Sequence, residues 1–565
     1  MPRLGLSNWF LAACLALLCG ACASLPPPAP HAAETAWASP QATALGQWVA
    51  RRRAADPSPR DSGFLLLGAE HAAFAARLAL VQQAQRTLDL QYYAIHADAT
   101  TEVLLEALRG AARRGVRVRI LLDDFNTVGR DAQVLRLAFE PNVQLRLFNP
   151  LPGSRDSLVG RLLMSLRDLP LAGKRMHNKL FIADNAAAVA GGRNLGDAYF
   201  GADGKSNFVD LDVLAAGGVV RDLSASFDRY WNDELAYPVQ SLISRADLET
   251  LRREAASAAA PADRPRPAGE SLPQAAAPQA ARPAASAAVL QVAASVLPGM
   301  TRTAVVSARM PPLDLDSVPL TWAPAAVLAD APGKIGPDDD EANAGDTVVD
   351  GLLQLMGQAR QDVLVVTPYF IPGRSVMQTF ADLRARGVRV RVLTNSLASN
   401  DAIAAHAGYA RHRAALLALG VELYEMRAAP GEAGVSLGGS ARGGLGSAGG
   451  GSKSGAPHAS LHSKALVVDG RSVVIGSMNL DLRSQRKNSE VALLVRSAVL
   501  ARGVQSRVEG VLASNAYRVL ATPGGLLWKA PPGAAFGDSR EEPLAGARLR
   551  ALAALVAPFA PDELL

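Results

Sequence analysis

A histidine, a lysine two residues on and an aspartate five beyond that occur twice in this 565-residue chain: His177, Lys179 and Asp184, then His462, Lys464 and Asp469. Each set is followed at the same distance by a glycine-led turn ending in asparagine, Gly191-Gly192-Arg193-Asn194 and Gly476-Ser477-Met478-Asn479. The chain has only eight histidines, so two matches in matching context are not an accident of composition. Neutral imidazole can attack phosphorus to give a phosphohistidine, and imidazolium can protonate a leaving alkoxide and then take a proton from an incoming alcohol or water. Lys179 and Lys464 would supply positive charge to the phosphoryl oxygens, while Asn194, Asn479 and Ser477 would supply neutral hydrogen bonds. The paired residue types suit breaking and remaking a phosphodiester, and the chemistry alone does not say which histidine takes which role. No spacing suits a metal, and neither metal nor cofactor is expected.

The elements around these residues must aim them. Read as a strand, His177 to Asp184 puts His177 and Lys179 on one face and Leu180 and Ile182 on the other; His462 and Lys464 share a face in the same way. Asp184 and Asp469 have the opposite parity and are expected to be structural. Each histidine also needs a partner on its second ring nitrogen. Glu490 opens the strand-like run Glu490 to Val495, and matching Val213-Leu214 to Leu493-Leu494 places Asp210 opposite it. Asp212, on the same strand face, is a competitor.

The motifs belong to a longer repeat. In the first half a strand over Thr87 to Ile95 precedes a helix near 101–114, then Arg114-Gly115-Val116-Arg117-Val118-Arg119 stops that helix and starts a strand. The second half has a strand over Asp362 to Phe370, a helix near 375–386, and the same hexapeptide from Arg386 to Arg391. The offset is 272 residues there (114 to 386) and 285 at the histidines (177 to 462), the excess lying in the Gly/Ser-rich segment 430–457. Internal duplication predicts two similar α/β domains about a pseudo-two-fold axis, with both motifs meeting around one phosphate. The expected units are 56–245 and 301–525, joined by an Ala/Pro-rich linker over 246–300 and followed by a tail, 526–565. A helix over Arg548 to Phe559 in that tail would pack on the domain or lie on a membrane.

Apolar residues make up 49% of the chain and charged residues 19%, a globular composition. The net charge of +6 suits an anionic partner. All three cysteines fall within residues 1–22, around an apolar run from Trp9 to Leu18 after Arg3. This stretch reads as an export signal. Leu18-Cys19-Gly20-Ala21-Cys22 resembles a bacterial lipoprotein signal, which implies Cys22 as lipid anchor and residues 23–55 as a tether. The expectation is an exported protein on the periplasmic side, lipid-anchored without crossing a bilayer, with the outer membrane favoured.

Paired H-x-K-x4-D motifs, each followed by a Gly-x-x-Asn turn, resemble those of the phospholipase D superfamily. Leu88 to Tyr93, Leu121 to Asp124, Gly191 to Phe200, Thr367 to Gly373 and Thr394 to Arg411 are further similar to the cardiolipin synthase branch, specifically its C group. The resemblance implies two domains of mixed β-sheet flanked by helices, with the site at their interface. It implies His177 as nucleophile and His462 as acid/base, with Tyr93 and Tyr369 binding substrate. The reaction implied is metal-independent transfer of a phosphatidyl group onto phosphatidylglycerol to form cardiolipin. The partners are then membrane phospholipids: phosphatidylglycerol, with phosphatidylethanolamine as a candidate donor. The same residues would serve a phospholipase D that uses water and makes phosphatidic acid. A nuclease-type phosphodiesterase is disfavoured: that branch is commonly a single short domain, and aromatics are only 5% here, so no nucleic-acid partner is expected. A non-catalytic lipid binder is disfavoured because both histidines, lysines and asparagines are present.

Overall fold

The computed structural model describes residues 25–27, 32–57, 60–153, 173–202, 206–243, 246, 247, 249, 250, 253, 310–335, 347–428, 458–560 and 562. The expected signal with Cys22, most of the 246–300 linker and the 430–457 segment lie outside them. Among the described residues no helix is long and apolar enough to cross a membrane.

Two nine-stranded mixed sheets carry the fold. From edge to edge, the first runs Ala236–Pro238, Val143–Phe148, Arg117–Asp123, Thr87–Tyr92, Leu180–Ala183, Ala187–Gly191, Asp212–Gly217, Ser62–Leu67 and Thr321–Trp322. The second runs Ala325–Ala329, Val491–Val495, Ser472–Gly476, Ala465–Val468, Asp362–Val366, Arg389–Asn395, Glu422–Met426, Ala516–Thr522 and Gly525–Lys529. Read from opposite ends, the two sheets share one order of pairing. Thr87–Tyr92 lies parallel to Arg117–Asp123, as Asp362–Val366 does to Arg389–Asn395, because each pair is joined through a helix, Ala99–Arg113 or Arg374–Ala385. Gly115 and Gly387, at φ 90° and 77°, end those helices in the left-handed region that glycine enters without penalty.

The apolar faces sort into three clusters. One lies between the first sheet and its outer helices and another under the second sheet. A third is shared, with Ile182, Val213 and Phe227 of one half against Leu364, Val467 and Leu493 of the other. This shared core sets the seam at which both motifs emerge.

Four expectations need revision. Residues 34–54, read as tether, pack on the first half. Thr43 caps a helix over Ala44–Ala54, Trp48 is buried with Nε1 donating to Leu315 O (3.0 Å), and the Ala36 amide reaches Asp228 Oδ2 (2.8 Å). Segment 310–322, assigned to the second unit, belongs with the first, since Leu315 is in its core and Thr321–Trp322 pairs with Ser62–Leu67. The sheets change over between Trp322 and Ala325. The expected tail begins inside a strand, because Gly525–Lys529 pairs with Ala516–Thr522. The remaining tail includes a helix, Ala547–Val556, next to which Arg411 donates to the carbonyls of Ala557 (3.0 Å) and Ala560 (2.7 Å).

Candidate active site

The fourth revision concerns the histidines. His177 to Asp184 is not one strand. Arg175–Met176 leaves the first sheet and pairs in parallel with Asn488–Ser489 of the second half, where the His177 amide donates to Ser489 O (2.9 Å). The strand Leu180–Ala183 then resumes in the first sheet. In mirror fashion, His458–Leu461 pairs with Ser206–Val209 of the first half, and the His462 amide donates to Val209 O (2.7 Å). Each histidine is therefore carried across the seam by a small parallel pairing and lies between strands rather than in one.

This crossing decides the carboxylate partners. The strand that holds His177 runs directly into Glu490, and the strand that holds His462 runs into Asp210. Glu490 Oε2 lies 3.0 Å from His177 Nδ1, and Asp210 Oδ2 lies 2.6 Å from His462 Nδ1. The acceptor on Nδ1 leaves Nε2 of each neutral ring as the basic nitrogen. Asp212 is engaged elsewhere, in buried ion pairs with Arg77 (2.9 Å) and Arg193 (3.4 Å).

The lysines fold back on their own motifs: Lys179 Nζ donates to His177 O (2.7 Å) and Lys464 Nζ to His462 O (2.6 Å). A spacing of two makes that reach possible and puts both ammonium groups beside the imidazoles. All four side chains are nearly buried. Burial, with Lys179, Lys464 and Arg483 close by, drives the His177 pKa well below the usual histidine range. Burial and Lys464 lower that of His462 to about 4, against the opposing pull of Asp210. Burial lowers Lys179 to about 7, opposed by Glu490 and aided by Lys464, and burial lowers Lys464 as well. Both imidazoles thus rest neutral beside lysines whose own pKa values are lowered. An incoming phosphate anion would relieve this repulsion and raise the basicity of the histidines and lysines together.

The remaining candidates divide. Ser477 Oγ donates to Glu490 Oε2 (2.5 Å), so it positions that carboxylate. Asn194 accepts from the Ala94 amide (3.2 Å) and donates to the Tyr199 hydroxyl (3.0 Å). The Asn479 backbone N–H donates to Ser484 Oγ (3.1 Å), while its side-chain Oδ1 is buried with no protein partner among the described residues. The Tyr93 ring lies edge-on to His177 at 5.1 Å, 5.5 Å from Lys179 Nζ. Tyr369 instead donates to Asp401 Oδ1 (2.8 Å).

Asp184 and Asp469 point away from the histidines. Each begins a tight turn at φ 53°, followed by Asn185 or Gly470, also at positive φ. These are type I′ turns, closed by the amides of Ala186 and Arg471 onto Ala183 O and Val468 O (3.0 Å each). Asp184 accepts from the amides of Gln85, Arg86 and Thr87, and Asp469 from those of Arg360, Gln361 and Asp362. Both aspartates anchor the start of the strand beside their motif.

Sequence reasoning missed several contributors. Ser484 Oγ donates to Glu490 Oε1 (2.9 Å), and buried Asp330 accepts the Glu490 amide (2.8 Å). Tyr199 and Phe208 pack their rings 5.5 and 4.6 Å from His462. Tyr199, five residues after Asn194, had a local signal; Asp330 had none.

A duplicated α/β fold with one H-x-K pair from each half at the seam is the architecture of the phospholipase D superfamily. Residues 78–231 and 352–512 match the family model described as cardiolipin synthase, PLD-like domain, and the chain belongs to that family. It is a cardiolipin synthase-like enzyme of the phosphatidyltransferase class. Cardiolipin synthase C of Escherichia coli (strain K12) is 34% identical over 80% of this chain and 84% of its own length. Cardiolipin synthase A of Pseudomonas entomophila (strain L48) is 25% identical over 80% of this chain and 67% of its own. Among solved structures, phosphatidylserine synthase from Haemophilus influenzae Rd KW20 aligns at TM-score 0.48 and 13% identity, covering 80% of this chain and 87% of that one.

Proposed function

We propose that the enzyme forms cardiolipin by two phosphoryl transfers through His177. The carrying observation is the crossed pair of Nδ1 contacts, which leaves Nε2 of both rings to act on one phosphate at the seam. In the first step His462 takes up a proton from solvent as the bound phosphate raises its basicity; His177 Nε2 attacks phosphorus, the bond to the headgroup oxygen breaks, and His462 gives that oxygen its proton. The free alcohol leaves. In the second step His462 takes the proton from a hydroxyl of phosphatidylglycerol, whose oxygen displaces His177 from phosphorus. Lys179 and Lys464 offset the phosphoryl charge in both steps, and Asn194 and Asn479 complete the polar lining.

The test is the product made by purified protein from labelled phosphatidylglycerol in mixed micelles, with and without phosphatidylethanolamine. Cardiolipin that disappears in His177→Ala supports the reading, and dependence on phosphatidylethanolamine would identify the donor. Phosphatidic acid alone would make the enzyme a hydrolase instead. We propose in addition that Cys22 is lipidated and holds the enzyme on the periplasmic side of a membrane, in keeping with the cysteine-rich apolar N-terminus. Labelled palmitate should be incorporated by the natural chain and not by Cys22→Ser; equal labelling would refute this.

A further inference from the structure

Two helices flank the seam at equivalent positions. Asp228 of helix Val219–Trp231 binds Arg119, and Glu509 of helix Ala498–Ser514 binds Arg391, the matching arginine of the repeated hexapeptide. Aligned on those carboxylates, Leu223, Phe227 and Tyr230 correspond to Val504, Val508 and Val511. The first three are fully buried and fill their side of the seam. The three valines leave theirs open, around a cavity of about 370 Å³. Its other walls are mostly apolar residues of both halves, among them Leu211 and Leu461, with Ser463 and Ser514.

The rim differs in kind from the walls. Arg507 is exposed on the helix and reaches over Gly68 of the other half, so closely that a Cβ there would lie 2.0 Å from the guanidinium. No carboxylate pairs with Arg507 among the described residues. A largely apolar cavity of this size with an arginine at its mouth matches a molecule with one long apolar part and an anionic end. The cavity is also separate from the reacting centre. Val209 and Ser463 line it, next in the chain to Asp210 and His462, so it backs onto the strand pair that holds those two residues.

We propose that this cavity binds one acyl chain of an anionic phospholipid, with the chain among the valines and the phosphate at Arg507. The site goes beyond the transfer reaction, and its test needs no turnover.

The full-length protein would be titrated with phosphatidylglycerol carrying one fluorescent polyene chain. A saturating short-chain phosphodiester would be present throughout to occupy the histidine site. Val508→Phe with Val511→Tyr, which copies the filled seam, should weaken binding at least tenfold with an unchanged or raised Tm. Arg507→Glu should weaken it about fivefold and leave a diacylglycerol carrying the same chain unaffected. Undiminished binding in a folded V508F/V511Y variant would overturn the proposal. If that variant does not fold, Arg507→Glu decides, and equal binding of the anionic probe would overturn it. Binding of the free polyene fatty acid without binding of the phosphatidylglycerol probe would overturn the phospholipid assignment.

Discussion

The two half-sites are built from the same parts and finished differently. His177 faces Glu490, whose carboxylate is also held by Ser477 and Ser484. His462 faces Asp210, one methylene shorter, and the position equivalent to Ser477 is Gly192. The reason is space. A Cβ at Gly192 would lie 2.3 Å from Asp210 Oδ1, so a side chain there and this aspartate exclude each other. In the second half the longer glutamate leaves room for a serine, and the serine then fixes it. A duplicated fold thus acquires unequal histidines through one paired choice, Gly with Asp or Ser with Glu. The histidine assigned to attack, for which ring orientation matters most, is the one whose carboxylate partner is itself fixed by two hydroxyls, although its own contact with that carboxylate is the longer of the two.

Removing either histidine probes the comparison most severely. His177→Ala should lower turnover by about 10⁴-fold or more and abolish covalent labelling, since nothing replaces the nucleophile. His462→Ala should cost about 10²- to 10⁴-fold with natural lipids. With a substrate whose leaving group needs no proton, such as a phosphatidyl nitrophenol, His462→Ala should still phosphorylate His177, seen as a burst of nitrophenol. A burst in His177→Ala and none in His462→Ala would reverse the roles.

Interchanging the finishing residues is a milder disturbance. Gly192→Ser should push Asp210 off His462 and lower kcat about 10²-fold, with KM nearly unchanged. Ser477→Gly removes one charge-assisted hydrogen bond from Glu490 while Ser484 remains, for a loss of about tenfold. Stopped-flow rates of labelling and of product release separate the two steps; equal effects of both substitutions would mean that the steric argument does not govern the site.

The pH dependence of binding isolates the lysine of the first half. Lys179 has its pKa lowered to about 7 by burial, so its ammonium is present below that pH and lost above it. Affinity for a short-chain phosphodiester, a monoanion throughout, should therefore fall by up to about tenfold per pH unit above 7. The histidines of the free enzyme, displaced further down, should not titrate between pH 6 and 7. Calorimetric affinities from pH 5.5 to 9 would show either profile, and a flat one would place the Lys179 proton elsewhere.

Much of this site was legible because duplication writes the parts twice. Aligning the halves put Asp210 opposite Glu490, and the strand register agrees: Asp212 pairs with Gly191 where Ala492 pairs with Gly476. The crossing was not legible, because nothing local to His177 states that its partner comes from a strand 313 residues away. The break at each histidine was hidden for the same reason, since the residues keep strand-like alternation while their pairing moves to the other half. Compositional shorthand failed at 34–54, where Ala and Pro suggested a tether but Leu45 and Trp48 are placed to bury one face of a helix. The contrast between Phe227 and Tyr230 on one helix and valines on the other was readable only after a structural alignment of their carboxylates.

The smallest effects on chemistry, and an instructive contrast in stability, are expected at the motif aspartates. Both accept three backbone amides from the neighbouring strand, yet Asp184 is fully buried and Asp469 partly exposed. Alanine at 184 would leave the buried Thr87 amide and two part-buried amides without an acceptor and put a side chain with no compensating hydrogen bond at φ 53°, at a cost of about 2–4 kcal/mol. At 469 water can replace the carboxylate, and about 1 kcal/mol is expected. Turnover per folded molecule should change less than threefold in either variant, because neither side chain approaches the histidines. Thermal unfolding and single-turnover rates on the two proteins test both statements. If Asp469→Ala lost turnover without losing stability, the last residue of the motif would belong to the chemistry rather than to the strand that presents it.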